Sequence, residues 1–151
     1  MFAARLRDLG IELPPVATPL AAYVPARRVG SQVWTSGQLP LADGALIATG
    51  TLGAEIEVVE GSACARAAAL NALAAAAHVA GGVDGIAQIH RVVVYVASAP
   101  GFVDQAQVAN GASLLFQEIF GEKGVHVRSA VGVSALPLGA PVEVELVVEL
   151  R

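Results

Sequence analysis

The stretch that decides the fold is Val125–Leu150, VHVRSAVGVSALPLGAPVEVELVVEL. On both sides of a central segment, every second residue is apolar or small, and this period of two predicts β-strands. The central segment holds Pro137, Gly139 and Pro141, which favour a turn because proline donates no amide hydrogen and glycine tolerates turn geometry. We therefore predict two neighbouring strands joined by a short turn.

These two strands place an arginine and several carboxylates in a chain that has few charges. Arg128 falls in the first strand, whereas Glu143, Glu145 and Glu149 share one face of the second. Charged residues form only 15% of the chain, well below the share that is usual in soluble domains. Arg128 and Glu143 are therefore the first candidates for function.

The composition limits the class of protein. A chain of 151 residues, of which 55% are hydrophobic, suits one domain over residues 1–151 with a sizeable core. The net charge of −4 and the lack of a basic run argue against nucleic-acid binding. The single cysteine, Cys64, fits a reducing compartment, and we expect it to be an inert core residue. Met1–Gly10 has the character of a short amphipathic helix and not of a signal peptide, so we expect a cytoplasmic protein.

The rest of the chain predicts an α+β fold with a mixed sheet. We expect helices at Phe2–Leu9, Glu60–Ala80 and Phe102–Phe120, and further strands at Tyr23–Val29, Gln32–Ser36, Ala45–Thr49 and Ile89–Ala97. The long helix is expected to bury a stripe formed by Ala63, Ala67, Leu70, Ala74 and Ala77. Polar residues interrupt its apolar window, which favours a core helix over a membrane span. The low charge leaves open whether an oligomer hides surface or the domain is simply rich in alanine.

No residue spacing typical of a metal site or of a covalent catalyst is present. His78, His90 and His126 are scattered, and we interpret them as a helix-surface, a strand-edge and a loop histidine. No phosphate-binding or dinucleotide-binding motif occurs, so no cofactor is expected. Ser36 and Ser129 have no plausible histidine partner in the sequence, which argues against a serine nucleophile.

Two interpretations of Arg128 and Glu143 stay open. The simpler one is a buried or interfacial salt bridge, a common use of lone charges in an apolar sheet. In the functional one, Arg128 binds a substrate carboxylate through two parallel hydrogen bonds, which lysine would not reproduce. Glu143 would then position or deprotonate a water molecule. Tyr23 and Gln38 are candidates to close such a site.

Several motifs in one order carry a resemblance to a known family. They are Ser36-Gly37-Gln38-Leu39-Pro40 after a strand, Asn71 in the long helix, Asn110 in the next helix, Arg128-Ser129-Ala130-Val131 with Leu136-Pro137, and Val142-Glu143-Val144-Glu145. Together they cover about residues 20–150. The chain resembles the RidA/YjgF family of reactive 2-imino acid and enamine deaminases, also labelled endoribonuclease L-PSP.

The resemblance implies a chorismate-mutase-like α+β fold, in which two main helices pack on a mixed β-sheet and residues 1–20 form an N-terminal helical extension. It implies a homotrimer with three clefts between subunits. The implied reaction is hydrolysis of 2-imino or enamine acids to 2-keto acids and ammonia, with no metal or cofactor. Independently of the resemblance, the composition argues against a membrane or nucleic-acid partner.

The resemblance also implies roles for individual residues. Arg128 would hold the substrate carboxylate, helped by backbone groups near Gly37 and Ala130. Glu143 would activate the attacking water. The side chains that would line the cleft are Tyr23, Gln38 and Asn110.

The chain departs from the family pattern at four places. Ala21-Ala22-Tyr23-Val24 replaces a Gly-Pro-Tyr-Ser type of segment, and Ala130 stands where many members have cysteine. Met1–Leu20 is an added N-terminal segment, and the segment around Leu41–Glu60 differs in length and charge. These departures indicate a longer, divergent subfamily, whose added helix either covers the cleft or lies elsewhere on the trimer. The alternative function is a non-catalytic protein of the same fold that binds small carboxylates. A ribonuclease is the weakest hypothesis because no basic groove is present.

Overall fold

The computed structural model describes residues 1–19 and 21–151, so Leu20, the last residue of the predicted extension, lies outside the described residues. The helices are α1 (Phe2–Asp8), α2 (Val58–Ala80) and α3 (Gln105–Phe120). The strands are β1 (Ala26–Val29), β2 (Gln32–Thr35), β3 (Leu41–Ala42), β4 (Ala45–Leu46), β5 (Ile86–Ala97), β6 (Val127–Val133) and β7 (Val142–Leu150). The predicted helices and strands are all present, but β1, β2 and β4 are shorter than the strands predicted at Tyr23–Val29, Gln32–Ser36 and Ala45–Thr49.

A five-stranded mixed sheet in the order β1-β2-β7-β5-β6 forms the centre of the fold. β5 and β6 are parallel, and the other pairs of this sheet are antiparallel. The β-branched run of β5 suits its inner position, where both edges of most of the strand are hydrogen-bonded. β3 and β4 form a separate two-stranded ribbon. The predicted α+β class with a mixed sheet is confirmed.

The sheet order corrects the prediction for the opening stretch. β6 and β7 were expected to be neighbours, but each of them pairs with β5, which lies between them. The turn at Pro137–Gly139 therefore crosses over one strand and does not close a hairpin. A pattern of alternation identifies strands but not their partners, because the pairing depends on segments that are distant in sequence.

Both long helices pack on one face of the sheet and form the core with it. The predicted buried stripe of α2 is confirmed in part: Ala74 and Ala77 are buried, whereas Ala63 is exposed and Leu70 is only half-buried. The other side chains that α2 buries include Ala65, Ala68, Ala69, Ala72, Leu73 and Ala76. Alanine makes up about half of α2 and apolar residues lie on every side of it, so its sequence alone does not define which side faces the sheet. As predicted, α2 is a core helix, although its length and composition alone would also suit a membrane span.

No described helix covers the other face of the sheet, which we call the open face. Trp34 of β2 is 52% exposed there, and Val127 and Val131 of β6 are exposed as well. The register aligns Trp34 with Val147 and Arg91 across the sheet, so these side chains share this face. Large apolar side chains on an uncovered sheet face indicate a surface for association.

The N-terminal extension divides into a helix and an extended connector. α1 packs against α3, where the rings of Phe2 and Phe120 are 4.5 Å apart, and Arg5 donates to the carbonyl oxygen of Glu118 at 2.9 Å. Asp84 accepts hydrogen bonds from the amides of Phe2 and Ala3, which lack partners within the helix. The helix is therefore anchored on the side of the molecule formed by α3.

Candidate functional site

Arg128 is held against α3 on the face of the sheet that the helices cover. Its Nη1 donates to Asn110 Oδ1 at 2.8 Å and to Ser113 Oγ at 3.1 Å, and its Nη2 donates more weakly to the carbonyl oxygen of Ala106 at 3.4 Å. A guanidinium has five N–H groups, so these three bonds leave two donors, one of them on Nε, for a ligand. The structure thus brings Arg128 together with Asn110, as the family resemblance implied.

Ser113 and His126 extend this network, and sequence reasoning missed the connection. Ser113 Oγ lies 2.8 Å from His126 Nε2, and His126 Nδ1 lies 2.6 Å from the carbonyl oxygen of Gly124. Burial holds the pKa of His126 below its usual range, and the nearby Arg128 acts in the same direction. His126 does lie in a loop, as predicted, but it is half-buried and bonded on both ring nitrogens.

Two spacings in the sequence could have found this network. Ser113 follows Asn110 by three residues on α3, so both side chains point to one side of the helix. His126 precedes Arg128 by two residues, which places both on one face of an extended segment. Ser113 lies inside a helix, whereas Ser36 and Ser129, the serines considered from the sequence, lie after β2 and within β6.

Glu143 lies on the open face and contacts Gly37. A Cβ built on Gly37 would overlap Oε1, Cδ and Cγ of Glu143, so any larger residue at position 37 would displace the carboxyl group. Burial, with a further contribution from Glu145, raises the pKa of Glu143 above its ordinary value. Glu145 itself accepts a hydrogen bond from Tyr95 Oη at 3.1 Å. Two carboxyl groups therefore stand side by side, with one of them close against a backbone segment.

The segment that contains Gly37 is fixed from behind by buried polar groups. The backbone of Gln38 exchanges two hydrogen bonds with Val144, at 2.8 and 2.9 Å. Asn71 of α2 is buried and donates from Nδ2 to the carbonyl oxygens of Leu39 and Leu41, at 3.0 Å each. The Gln38 side chain is only 6% exposed, because it points to the core side of the sheet. The motif therefore holds Gly37 in place more than it presents Gln38 to solvent.

A small surface pocket joins three of the predicted site residues. Tyr23, Gly37 and Gln38 line it, together with residues 17–19 of the connector. The N-terminal extension was expected either to cover the cleft or to lie elsewhere, and its two parts behave differently. α1 packs on α3, whereas the connector reaches this pocket. Ala130, the remaining predicted residue, lies on β6 two residues after Arg128 and packs against the core.

Arg128 and Glu143 do not meet within one chain. The register aligns Arg128 with Val92 of β5 and Glu143 with Tyr95, and residues three apart on a strand point to opposite faces. The two side chains are thus on opposite faces and on strands separated by β5. Among residues 1–19 and 21–151 no ion pair joins them, so the interpretation as a salt bridge within one subunit is wrong.

The remaining candidates for chemistry occupy ordinary structural positions. Cys64 is buried, and burial with the nearby Glu60 raises the pKa of its thiol to about 11, which fits the predicted inert core residue. His78 is exposed on α2, and His90 pairs with Glu149 at 2.7 Å where β5 extends beyond β6. Within the described part of the chain, no three His, Cys, Asp or Glu residues form a group suited to a metal ion.

Comparison with known proteins places the chain in a family over nearly its whole length. Residues 3–150 match the model of the YjgF/chorismate mutase-like family, whose description suggests an endoribonuclease. Protein TCP17 of Trypanosoma cruzi is 46% identical over 150 residues, which cover 99% of this chain and 94% of that protein.

Solved structures agree with this assignment. A protein of Shewanella oneidensis, described as a proposed endoribonuclease, is 39% identical with a TM-score of 0.95, and the match covers 99% of both chains. Escherichia coli TdcF, solved with bound serine, is 26% identical with a TM-score of 0.64, and the match covers 92% of this chain and 94% of TdcF. Together with the motifs around Gly37, Arg128 and Glu143, these matches show that the chain belongs to the YjgF/RidA family.

Proposed function

We propose that this chain hydrolyses reactive 2-imino or enamine acids to 2-keto acids and ammonia, at a cleft between two copies of the chain. Arg128 of one copy binds the substrate carboxylate, and Glu143 of another copy directs the attacking water. The observation that carries the proposal is the geometry of Arg128, whose guanidinium is fixed by three hydrogen bonds while two of its donors remain available. Two parallel N–H groups suit a carboxylate, which is also the group common to imino and amino acids.

The opposite placement of the two charged groups supports a site built from two subunits. A substrate bound at Arg128 cannot reach Glu143 of the same chain, because the sheet lies between them. The open face around Glu143 exposes Trp34, Val127 and Val131, which a neighbouring subunit would bury. The assembly that we propose is a homotrimer, since a closed ring repeats one such interface three times. Each ring then contains three equivalent clefts.

The residues present suffice for the reaction. An iminium carbon is already electrophilic, so catalysis requires orientation of the substrate and removal of a proton from water. The Glu143 carboxylate takes one proton from water while the water oxygen bonds to the imine carbon, and a 2-amino-2-hydroxy acid forms. The protonated Glu143 then returns this proton to the amino nitrogen. Ammonia leaves, the hydroxyl group loses its proton, and the products are the 2-keto acid and ammonium.

The environment of Glu143 suits a general base. A base works best when its pKa is close to the working pH. Burial and the adjacent Glu145 raise the pKa of Glu143 toward that range. Gly37 allows the carboxyl group to lie against the backbone, which restricts its orientation. The small pocket lined by Tyr23 and Gln38 lies beside this contact and is a candidate place for the substrate side chain.

The proposal is tested by turnover of 2-imino acids generated in place by an amino-acid oxidase. We expect accelerated release of the keto acid with the wild type and none with Arg128→Ala or Glu143→Gln. The two variants are then mixed after unfolding and refolded together. If each cleft takes its arginine and its glutamate from different copies, roughly a quarter of the clefts in a random mixture regain both residues. Activity that does not return on mixing would contradict a shared cleft.

A non-catalytic function is the second candidate, and one observation favours it. The carboxylate-binding half of the site is complete within one chain, whereas Glu143 depends on assembly to take part. The relative TdcF holds serine, which is a small carboxylate. A protein that senses a small carboxylate would bind 2-oxobutanoate through Arg128 but would not release keto acid from any imine. Binding that survives Glu143→Gln, without turnover in the wild type, would favour this second candidate.

A further inference from the structure

The network behind Arg128 is a continuous chain of four groups. The carbonyl oxygen of Gly124, the imidazole of His126, the hydroxyl of Ser113 and the guanidinium of Arg128 follow one another at 2.6, 2.8 and 3.1 Å. Each of the three distances is within hydrogen-bond range. Ser113 is buried, and His126 is half-buried with its ring edge-on to Phe116, at 6.0 Å between centroids. The chain thus leads from a fixed backbone carbonyl to the proposed carboxylate anchor.

The end groups determine the direction of every hydrogen bond in this chain. A carbonyl oxygen can only accept, so His126 Nδ1 carries a hydrogen and donates to Gly124. In the neutral ring, Nε2 then accepts, so the Ser113 hydroxyl donates to it. The hydroxyl hydrogen is thereby turned away from Arg128, and a lone pair of Ser113 Oγ is left to accept from Nη1. Neutral His126 thus orients the hydroxyl that holds the guanidinium.

We propose that His126 and Ser113 are positioning residues for Arg128, and that protonation of His126 weakens the binding of a carboxylate ligand. This inference rests on the proposed function, since it takes Arg128 as the carboxylate anchor. When His126 is protonated, Nε2 becomes a donor, so Ser113 must accept from it and turn its own hydrogen elsewhere. His126 and Arg128 then each donate to one of the two lone pairs of Ser113 Oγ, so two positive charges face one hydroxyl group whose own hydrogen has lost its acceptor. The repulsion between the two cations weakens the hydrogen bond to Ser113 that helps to fix the guanidinium.

The charged groups near His126 leave Arg128 as its main electrostatic neighbour. On the turn before β6, Glu122 and Lys123 are exposed. Glu118 of α3 pairs with Arg66 at 3.0 Å. The titratable side chains of β5 are Tyr95 and Arg91, which belong to the open face, and His90, which pairs with Glu149. Burial and the positive charge of Arg128 both lower the pKa of His126, so the neutral ring persists to a lower pH than that of an ordinary histidine.

A nucleophilic role for Ser113 does not fit the same geometry. Its oxygen accepts a hydrogen bond from the cationic guanidinium of Arg128, which lowers the electron density that a nucleophile needs. The group that orients His126 is a backbone carbonyl rather than a carboxylate. The side chain is also buried, which leaves no room for a substrate carbon. The arrangement is suited to orienting a cation.

The inference is tested by measuring the affinity for 2-oxobutanoate, a stable keto acid that mimics the product, by calorimetry between pH 5 and 8. All pH series use the Glu143→Gln background, so that titration of that carboxyl group does not contribute. The variants are Ser113→Ala, His126→Phe, which keeps the ring contact with Phe116, and the two changes combined. His126→Gln retains an amide oxygen that can accept from Ser113 but does not titrate. His78→Gln, on the exposed side of α2, is the matched control.

We expect Ser113→Ala and His126→Phe each to weaken binding roughly three- to tenfold at pH 8, because each removes one link to a charged group. The combined variant should bind no more weakly than the worse single variant, since both changes break the same chain. With His126 present, affinity should fall as the pH is lowered toward 5, whereas His126→Gln should show a flat profile. A residue with a merely structural role would lower the melting temperature without removing this pH dependence.

The outcomes distinguish a failure of Arg128 as the carboxylate anchor from a failure of His126 and Ser113 as its positioning residues. If Arg128→Ala binds 2-oxobutanoate as well as the parent, or the parent does not bind it at all, the carboxylate anchor and hence the proposed function are wrong. If Arg128→Ala abolishes binding while Ser113→Ala and His126→Phe bind normally, only the positioning relay is overturned. A second readout needs no ligand: long-range ¹H–¹⁵N spectra should show His126 with its hydrogen on Nδ1 at neutral pH. A hydrogen on Nε2 would overturn the relay.

Discussion

The two halves of the candidate site, Arg128 on the helix side of the sheet and Glu143 on its open face, differ in how the protein supports their charges. On the helix side, Arg128 has protein acceptors for three of its N–H groups, in a network that ends at a backbone carbonyl. On the open face, Glu143 stands beside Glu145, and the described residues provide no cation within ion-pair distance of either. The positive half is therefore preorganised within one chain, whereas the negative half is left with unfavourable electrostatics.

This difference indicates where assembly is needed. A preorganised cation can bind a carboxylate as soon as the chain folds, because the cost of orienting its side chain is already met. Burial and the adjacent Glu145 raise the pKa of Glu143, so this carboxyl group binds its proton more tightly than an ordinary glutamate does. A raised pKa is an advantage in a general base. In the proposed function, the binding half is complete within one subunit, and the catalytic half is completed only at an interface between subunits.

The largest effect is expected from Gly37→Ala, which acts on the negative half alone. The added Cβ would overlap the Glu143 carboxyl group and force it to move. A displacement of about 1 Å in a catalytic group can cost about a hundredfold in turnover, and we expect a loss of that size in steady-state kinetics. Binding of 2-oxobutanoate at Arg128 should change little.

A matched double variant checks the cause of this loss. Glu143→Asp shortens the side chain, so in combination with Gly37→Ala it should recover part of the turnover that Gly37→Ala alone removes. A Gly37→Ala variant with normal turnover would show that the position of Glu143 against residue 37 is irrelevant to the reaction.

The second largest effect concerns stability and compares two asparagines. Asn71 is buried and satisfies two carbonyl oxygens behind Gly37, so Asn71→Ala should lower the free energy of unfolding by about 2 kcal/mol. Asn110 is exposed, and among the described residues its side chain bonds only to Arg128, so Asn110→Ala should change the free energy of unfolding by less than about 0.5 kcal/mol but weaken keto-acid binding. Urea unfolding and calorimetry measure both quantities. Equal losses of stability in the two variants would contradict the assignment of Asn71 to structural support of the Gly37 segment and of Asn110 to the orientation of Arg128.

The sequence predicted more of the elements than of their arrangement. The alternation in β7 and the β-branched run of β5 gave the strands, and Gly37, Arg128 and Glu143 were found from local motifs. The buried side of α2 was only partly predictable, because about half of its residues are alanine and apolar residues lie on every side. The opposite placement of Arg128 and Glu143 was also hidden, because it depends on β5 entering between β6 and β7. The partnership of Ser113 with His126 required the packing of α3 on β6, which no local pattern records.

A smaller effect is expected from the pH dependence of stability in Glu143→Gln. The pKa of Glu143 is raised in the folded chain, so the folded state binds its proton more tightly than the unfolded state does. The stabilisation from this proton is present at acidic pH and is lost as the pH rises through the folded pKa. Glutamine carries no charge, so the variant should melt at a higher temperature than the wild type at pH 7 and at the same temperature near pH 4. Calorimetric melting curves provide the measurement.

The sign of this difference also reports on assembly. If the variant is less stable than the wild type at pH 7, the charged carboxylate has a cationic partner in the assembled protein that one chain does not contain. The matched change Glu149→Gln should have the opposite sign, because hydrogen bonds from Ser31 and His90 lower the pKa of Glu149. Its stabilisation is present at neutral pH and is lost as the pH falls through the folded value.

The smallest effect is expected at Asp84, which belongs to neither half. Its carboxylate accepts from the first amides of α1, and the bond from Ala3 is the main cause of its lowered pKa. Because the pKa of Asp84 is lowered in the folded chain, its carboxylate stabilises the folded state at any pH above the ordinary pKa of aspartate. This stabilisation is lost as the pH falls through the pKa of the folded state. Asp84→Asn should therefore lower the protection factors of the α1 amides in hydrogen exchange at neutral pH and remove most of the pH dependence of those protection factors. Turnover should stay unchanged, because α1 packs on α3 away from Gly37.

The connector makes this last comparison informative. Residues 17–19 line the pocket beside Gly37, and the same extension begins with the helix that Asp84 anchors. If Asp84→Asn raises the KM for bulky imino acids while leaving that for small ones unchanged, release of α1 has reached the pocket through the connector. The extension would then form part of the negative half of the site. If the KM values stay constant while exchange increases, the connector is held by its own packing, and the two halves of the site depend only on the sheet and its two long helices.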